Sequence, residues 1–140
     1  MQQLMKGMKF TQESQENQEI AKSIVNIVNA EENIVIDFKD IQQALKSASV
    51  ADAQKAQESG DDAIPKAMQK VVSKLNSLEN IVSVFVRFDM HPDVSLIELV
   101  GAMDILDNKL DENAEVVFGT VCDKSLDKLY AKVSVLSFYK

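Results

Sequence analysis

The stretch NIVIDFKDI, residues 33–41, contains the clearest change of pattern in the sequence. A run of apolar β-branched residues is followed by two carboxylates three positions apart, Asp37 and Asp40, which bracket the aromatic Phe38. Asp is a favoured N-cap residue, and a carboxylate in the first turn gains from the unpaired N–H groups and the helix dipole. The spacing predicts a short helix over residues 37–46, with Asp37 as its N-cap.

A longer amphipathic helix is predicted before this stretch, over residues 16–29. Apolar residues at helical spacing define its buried face: Ile20, Ile24, Ile27 and Val28. The polar run TQESQENQE, residues 11–19, is either an exposed part of a longer helix or a linker. Ahead of it, one helical face is formed by Met1, Leu4, Met5 and Met8. We expect this face to pack on the domain or on a second copy rather than to anchor in a membrane, because so short a segment buries little area.

The chain after residue 46 alternates between strand and helix patterns. SASVADA, residues 47–53, predicts a marginal edge strand, and residues 54–62 predict a polar loop. ESGDD supplies a turn and an Asp cap for a helix in whose first turn Pro65 is tolerated. The buried face of that helix is predicted to comprise Ile64, Met68, Val71 and Leu75.

The last third of the chain has the strongest strand patterns. NIVSVFVRF (residues 80–88), AEVVFGTVCD (114–123) and KLYAKVSVLSF (128–138) predict three strands. Between the first two, Ser95 and Glu98 form a capping-box pattern for a further helix. Its core face is predicted to comprise Leu96, Leu99, Val100, Met103, Leu106 and Leu110. This order of elements is typical of an α+β domain with helices packed on a mixed sheet.

Composition limits the classes of function. A chain of 140 residues suits one domain. The net charge of −7, with Lys interspersed among Asp and Glu, argues against nucleic acid as a partner. The apolar runs are too short to span a bilayer. The single cysteine and the absence of an export-signal pattern in MQQLMKGMKF predict a cytoplasmic protein.

Residues that commonly carry catalysis or bind cofactors are sparse. The four glycines are far apart, so the sequence predicts no phosphate-binding loop and no nucleotide binding. His91 is the only histidine, and we expect it to have a surface or capping role rather than to bind a metal. Cys122 is expected to be a small, half-buried apolar residue. The sequence therefore predicts no cofactor, no metal and no self-contained catalytic site.

Two segments, VIDFKDI and VVFGTVCDKSLDKLYAKVSVLSF, carry a resemblance to the C-terminal half of FtsZ, the bacterial tubulin-like cell-division GTPase. The family's loop reads G-x-N-x-D-F-A-D-V, and its penultimate strand reads much like I-I-F-G. Gly101 also matches a family glycine in the corresponding helix. The resemblance covers residues 20–138. It implies a four-stranded mixed sheet backed by helices, preceded by a helix equivalent to the end of the FtsZ central helix. The predicted organisation is an N-terminal segment, residues 1–15, weakly ordered or partner-bound, and an FtsZ C-terminal-like domain, residues 16–140.

The resemblance also implies a partner-facing loop containing Asp37, Phe38 and Asp40. In FtsZ this loop docks onto the GTP of the next subunit, and its carboxylates help to polarise the attacking water. Val35 stands at the position of the family Asn and Asn33 at that of the family Gly, and the family's G-G-G-T-G phosphate loop is absent. Asp37 and Asp40 are therefore either helix caps alone or groups that act on a partner's nucleotide.

Two functions follow as expectations. The first is a non-catalytic interaction protein that binds FtsZ-like protomers or itself and modulates filament assembly. The alternative is a repurposed small oligomeric binding or enzymatic module unrelated to cell division, because one fold can serve many functions.

Overall fold

The computed structural model of the chain describes residues 9–10, 15–27, 29–30, 32–75 and 78–140. Within these residues the helices are α1 (Gln15–Val25), α2 (Phe38–Ser47), α3 (Ala63–Lys74) and α4 (Leu96–Asp107). The strands are β1 (Lys9–Phe10), β2 (Val50–Ser59), β3 (Ile81–Met90), β4 (Glu115–Cys122) and β5 (Tyr130–Tyr139). None of the helices in this part of the chain is long and apolar enough to cross a membrane.

The strands form one sheet in the order β1-β2-β5-β3-β4. β5 lies in its centre and pairs antiparallel with both β2 and β3, whereas β3 and β4 run parallel. β1 adds only two residues, parallel to the start of β2. Helices cover both faces of the sheet, which explains why most residues of the central strand β5 are buried. The predicted α+β fold with a four-stranded mixed sheet is confirmed.

Two apolar clusters fill the two faces of this sheet. α3 and α4 cover one face, where Met68, Leu99 and Val133 are buried. α1 and α2 cover the other, where Ile24 and Ile41 pack against the sheet. The rings of Phe85 and Phe138 meet edge to face there, with centroids 5.6 Å apart, an arrangement that aromatic pairs favour.

The helix predicted over residues 16–29 is shorter than expected. α1 ends at Val25, although Ile27 beyond its end is buried together with Ile20 and Ile24. Val28 lies outside the described residues, as do residues 1–8, which contain the predicted Met and Leu face, and residues 11–14 of the polar run. Residues 15–19 of that run are helical. The organisation predicted for residues 1–15 stays a prediction.

The prediction of a marginal strand and a polar loop over residues 47–62 was wrong in extent. β2 is ten residues long, and each of them pairs with β5 from Val50 to Ser59. Small side chains, Ala51, Ala53 and Ala56, are buried under the helices on the two faces. The full ladder to β5 and this burial stabilise a strand whose own propensity is low.

The Asp cap predicted for α3 was also wrong. Asp62 occupies the N-cap position in a left-handed conformation, with φ of 58°, and its side chain makes no capping hydrogen bond. The preceding Gly60 has φ of +99°, so the turn is closed by backbone geometry that glycine allows. Pro65 lies in the first turn of α3, as predicted.

The predicted core face of α4 was partly wrong. Leu99 and Leu106 are buried, but Leu96 and Val100 are exposed by 66% and 60%. Ala102, which the apolar pattern missed, is fully buried instead. The helix packs through this narrower stripe because α3 flanks it on the same face of the sheet.

Candidate functional site

The loop that precedes α2 is fixed to the open edge of β4. Ile34 and Thr120 exchange backbone hydrogen bonds of 3.1 and 2.9 Å. One position earlier, the side-chain oxygen of Asn33 accepts a bond of 2.9 Å from the backbone N–H of Cys122. Residues 33–34 therefore act as a short extra strand, and the position of the loop depends on β4.

Gly119 lets this loop approach so closely. A Cβ atom built on Gly119 would lie 2.6 Å from the carbonyl oxygen of Ile34 and 2.7 Å from Cδ1 of Ile27. Real Cβ atoms do not approach other atoms so closely, and the carbonyl belongs to the backbone, which cannot rotate away as a side chain can. This glycine is part of the strand motif that carries the resemblance, but its physical role is visible only in the structure, where the loop lies against the strand.

Asp37 caps α2, as the sequence predicted. Its carboxylate accepts a hydrogen bond of 2.9 Å from the backbone N–H of Lys39, and its carbonyl accepts one of 3.1 Å from the N–H of Asp40. Asp37 is exposed, whereas Asp40 is half-buried in the first turn. The side chain of Phe38 lies outside the described part of the chain. The capping role of Asp37 is confirmed, and any role of the three residues toward a partner stays a prediction.

The first turns of α4 present apolar side chains to solvent. Ser95 caps the helix, because its Oγ accepts a bond of 3.1 Å from the N–H of Ile97. In the described part of the chain the carboxylate of Glu98 does not return a bond to Ser95, so only half of the predicted capping box forms. Ile97 is exposed by 81%. The sequence could have indicated this exposed face, since LIELV, residues 96–100, has more apolar residues than one buried face needs.

The start of α4 and Asn33, the first residue of the loop, lie at the same end of the sheet. β3 and β4 run parallel and both finish there, with Met90 opposite Cys122. The amide of Cys122 is bonded to the loop, and α4 follows β3 after a short turn. The ammonium of Lys128, just before β5, lies 3.1 Å from the carboxylate of Asp93 in that turn.

The turn before α4 is held by short-range polar contacts. Nδ1 of His91 accepts a hydrogen bond of 3.0 Å from the N–H of Asp93, so the histidine closes the turn, whereas Ser95 caps the helix. The ammonium of Lys128 lowers the pKa of the Asp93 carboxyl, chiefly through its hydrogen bond and then through its charge. These contacts fix the position at which α4 starts.

Six large apolar side chains of the described residues are exposed, and they lie in segments that adjoin the ends of β3 and β4 or the start of β5. We call this set the apolar end: Ile34, Val35, Leu96, Ile97, Val100 and Leu129. Two belong to the loop before Asp37, three to the start of α4, and one to the turn before β5. Exposed apolar residues that form a contiguous patch are a common mark of a protein contact.

The described residues offer little for metal or thiol chemistry. Across residues 9–10, 15–27, 29–30, 32–75 and 78–140, no three His, Cys, Asp or Glu side chains are grouped so that they could hold a metal ion. Cys122 is half-buried, as predicted, and burial raises the pKa of its thiol. A raised thiol pKa lowers the thiolate fraction at neutral pH, so the thiol is poorly suited to act as a nucleophile.

Comparison of the sequence with known proteins finds FtsZ. The chain is 25% identical over 118 residues to the cell division protein FtsZ of Helicobacter pylori strain J99, which covers 81% of this chain and 31% of that protein. It is 25% identical over 121 residues to cell division protein FtsZ 2 of Pyrococcus furiosus, covering 84% of this chain and 30% of that protein. The chain thus spans about a third of the length of these relatives. No family model matches the sequence.

Comparison of the structure gives the same result. An FtsZ dimer from M. jannaschii matches with a TM-score of 0.67 at 17% identity, over 75% of this chain and 31% of that one. CetZ2 from Haloferax volcanii, in a GTPγS-bound protofilament, matches with a TM-score of 0.52 at 16% identity, over 74% of this chain and 33% of that one. TubZ of Bacillus thuringiensis, in GDP-form protofilaments, matches with a TM-score of 0.52 at 12% identity, over 81% of this chain and 32% of that one.

The fold is therefore that of a tubulin-like C-terminal domain. The resemblance to the C-terminal domain of FtsZ, which does not include the GTP-binding domain, is confirmed by the sequence matches and by the fold.

Proposed function

We propose that this protein is a non-catalytic interaction protein that binds an FtsZ-like protomer, or a second copy of itself, and thereby modulates filament assembly. The observation that carries the proposal is the apolar end, which includes Ile34 and Val35 of the loop that leads to Asp37 and α2. Exposed apolar side chains of this kind lose their contact with water when a partner covers them, which favours association.

The proteins of similar fold support a partner of this kind. The M. jannaschii structure is of an FtsZ dimer, and the CetZ2 and TubZ structures are of protofilaments. The same fold thus occurs in proteins that associate with further copies of themselves. We propose that the apolar end contributes one side of a comparable contact.

A protein that can form only one of the two contacts of a filament subunit would end the filament rather than extend it. The four glycines of the chain are too dispersed to form a phosphate-binding loop. A copy docked on a filament through its apolar end would therefore offer the next subunit no nucleotide to bind. We expect the protein to act as a chain terminator at substoichiometric ratios.

Asp40 is the better candidate for an action on the partner's nucleotide. The carboxylate of Asp37 is already engaged by the N–H of Lys39, whereas Asp40 lies in the first turn, half-buried. A charge close to an attacking water acts mainly in the transition state. Because Val35 replaces the family Asn, any effect of Asp40 on GTP hydrolysis by the partner should be weak.

The test adds the purified protein to an FtsZ-like GTPase from the same cell during assembly with GTP. Sedimented polymer and GTP turnover are measured together. We expect both to fall at substoichiometric ratios, and Ile97→Asp to abolish the effect, because a charge at this exposed position opposes burial. Asp40→Asn should keep the effect on polymer mass while changing the turnover of the remaining polymer.

Gln69→Asp is the matched control, since it places the same side chain at an exposed position of α3. It should behave as the wild type. If the wild-type protein changes neither polymer mass nor turnover and stays monomeric at high concentration, the proposal is wrong. The alternative of a repurposed module unrelated to division would then have to be taken up.

A further inference from the structure

A groove beside the part of β2 that does not pair with β1 is lined largely by lysine. It has a volume of about 570 Å³, and four of the eight described residues that line it are lysines: Lys55, Lys70, Lys74 and Lys132. Lys and Arg together make up only 15 of the 140 residues, and the chain as a whole carries a net charge of −7. The groove is therefore a basic patch on a molecule whose net charge is negative.

Contacts between α3 and β2 fix two of these lysines. The ammonium of Lys74 donates a hydrogen bond of 2.9 Å to the carbonyl of Lys55. The ammonium of Lys70 lies 2.6 Å from the carboxylate of Glu58, and its hydrogen bond is the main reason that the pKa of this carboxyl is lowered. α3 thus holds its positive charges along the groove.

The other two lysines have no carboxylate partner in the part of the chain that the structure describes. Lys55 projects from β2 and Lys132 from β5, and neither takes part in an ion pair there. Glu16, at the start of α1, is the one acidic residue among the described residues that line the groove. Among the described lining residues four lysines thus stand against one glutamate, and Glu58 pairs with only one of these lysines.

The groove also offers a neutral donor. The hydroxyl of Tyr130 donates a hydrogen bond of 2.9 Å to the side-chain oxygen of Gln57. With its oxygen so engaged, Gln57 presents its amide N–H₂ group to a carbonyl or carboxylate. The lysines and this amide together suit a ligand that carries both carboxylate and carbonyl oxygens, as an acidic peptide does.

We propose that this groove binds a short acidic peptide segment of a partner protein. A nucleic acid fits less well, because the acidic body of the molecule repels a long polyanion. Lysines are compact, hydrated charges on flexible stems, which suits carboxylates spaced along a peptide. The groove lies beside β2, whereas the loop before α2 lies along β4 at the far edge of the sheet, so this site is separate from that loop.

The experiment measures the binding of fluorescein-labelled hexaglutamate by fluorescence anisotropy in about 50 mM salt, where exposed charges are only partly screened. The double variant Lys55→Gln/Lys132→Gln should weaken binding by about five- to tenfold, as expected when two exposed ion pairs are lost. Lys46→Gln/Lys109→Gln makes the same change in net charge at exposed positions outside the groove and should leave the affinity unchanged.

Three results would overturn the proposal: equal loss in both double variants, equal binding of a hexaglutamine probe, or displacement of hexaglutamate by inorganic phosphate as readily as by unlabelled hexaglutamate. The last result would show a general anion site. Thermal unfolding monitors the fold of each variant. Should the groove variant melt early, Lys74→Gln at an exposed position of α3 provides the second test and should also weaken binding.

Discussion

Asp37 and Asp40 are of the same residue type, three positions apart, and yet they have different surroundings. The carboxylate of Asp37 is exposed and bonded to a backbone N–H, whereas Asp40 is half-buried in the first turn of α2. Capping explains the presence of Asp37 fully. It does not decide whether Asp40 acts on a partner.

Replacing Asp37 by alanine should destabilise the domain by about 0.5–2 kcal/mol, because one N–H of the first turn loses its acceptor. Urea unfolding followed by circular dichroism measures this loss. Asp37→Ser keeps an acceptor at the N-cap and should restore nearly all of the stability. An equal loss in both variants would argue against a capping role.

Gly119 is constrained by packing, since the loop before α2 fills the space beside it. Gly119→Ala should cost about 1–3 kcal/mol, as overpacking usually does, because the new methyl group would overlap the carbonyl of Ile34. Gly101→Ala is the control, since a Cβ atom there meets nothing within 4 Å. In a helix this change should stabilise by about 0.5–1 kcal/mol. Both values follow from the same unfolding measurement.

At the scale of the element, α4 differs most from its sequence pattern. The pattern assigned Leu96 and Val100 to the core, and the structure exposes both while burying Ala102. Periodicity identifies an apolar stripe only when the apolar residues are confined to one face. With apolar residues on two faces, the choice depends on where α3 and the sheet lie.

Leu99→Ala and Leu96→Ala distinguish the two faces of α4. Leu99 is 2% exposed, and its truncation should cost about 2–5 kcal/mol through lost burial and a cavity. Leu96 is largely exposed, and its truncation should change stability by less than about 0.5 kcal/mol. Chemical unfolding of the two variants measures both. Similar losses would mean that α4 is rotated from the orientation described.

At the scale of the whole molecule, the chain has the fold of one part of FtsZ, and it spans about a third of the relatives' length. We expect the purified chain neither to bind nor to hydrolyse GTP, because its glycines cannot present successive N–H groups to a phosphate. Isothermal titration calorimetry with GTP, with a full-length FtsZ as the positive control, measures this. Micromolar affinity in the chain alone would refute the expectation.

The sequence by itself determined the order of helices and strands, the mixed sheet and the cap at Asp37. These features depend on local periodicity and on hydrogen bonds to neighbouring residues, which the chain encodes within a few positions. The resemblance to FtsZ also rested on short local motifs.

The tertiary structure alone decided the length of β2, the exposed face of α4 and the close approach at Gly119. β2 is a strand because each of its ten residues pairs with β5, which is distant in sequence. Likewise, the apolar end and the lysine groove bring together side chains from separate elements. No local pattern specifies such contacts, because they depend on where the other elements pack.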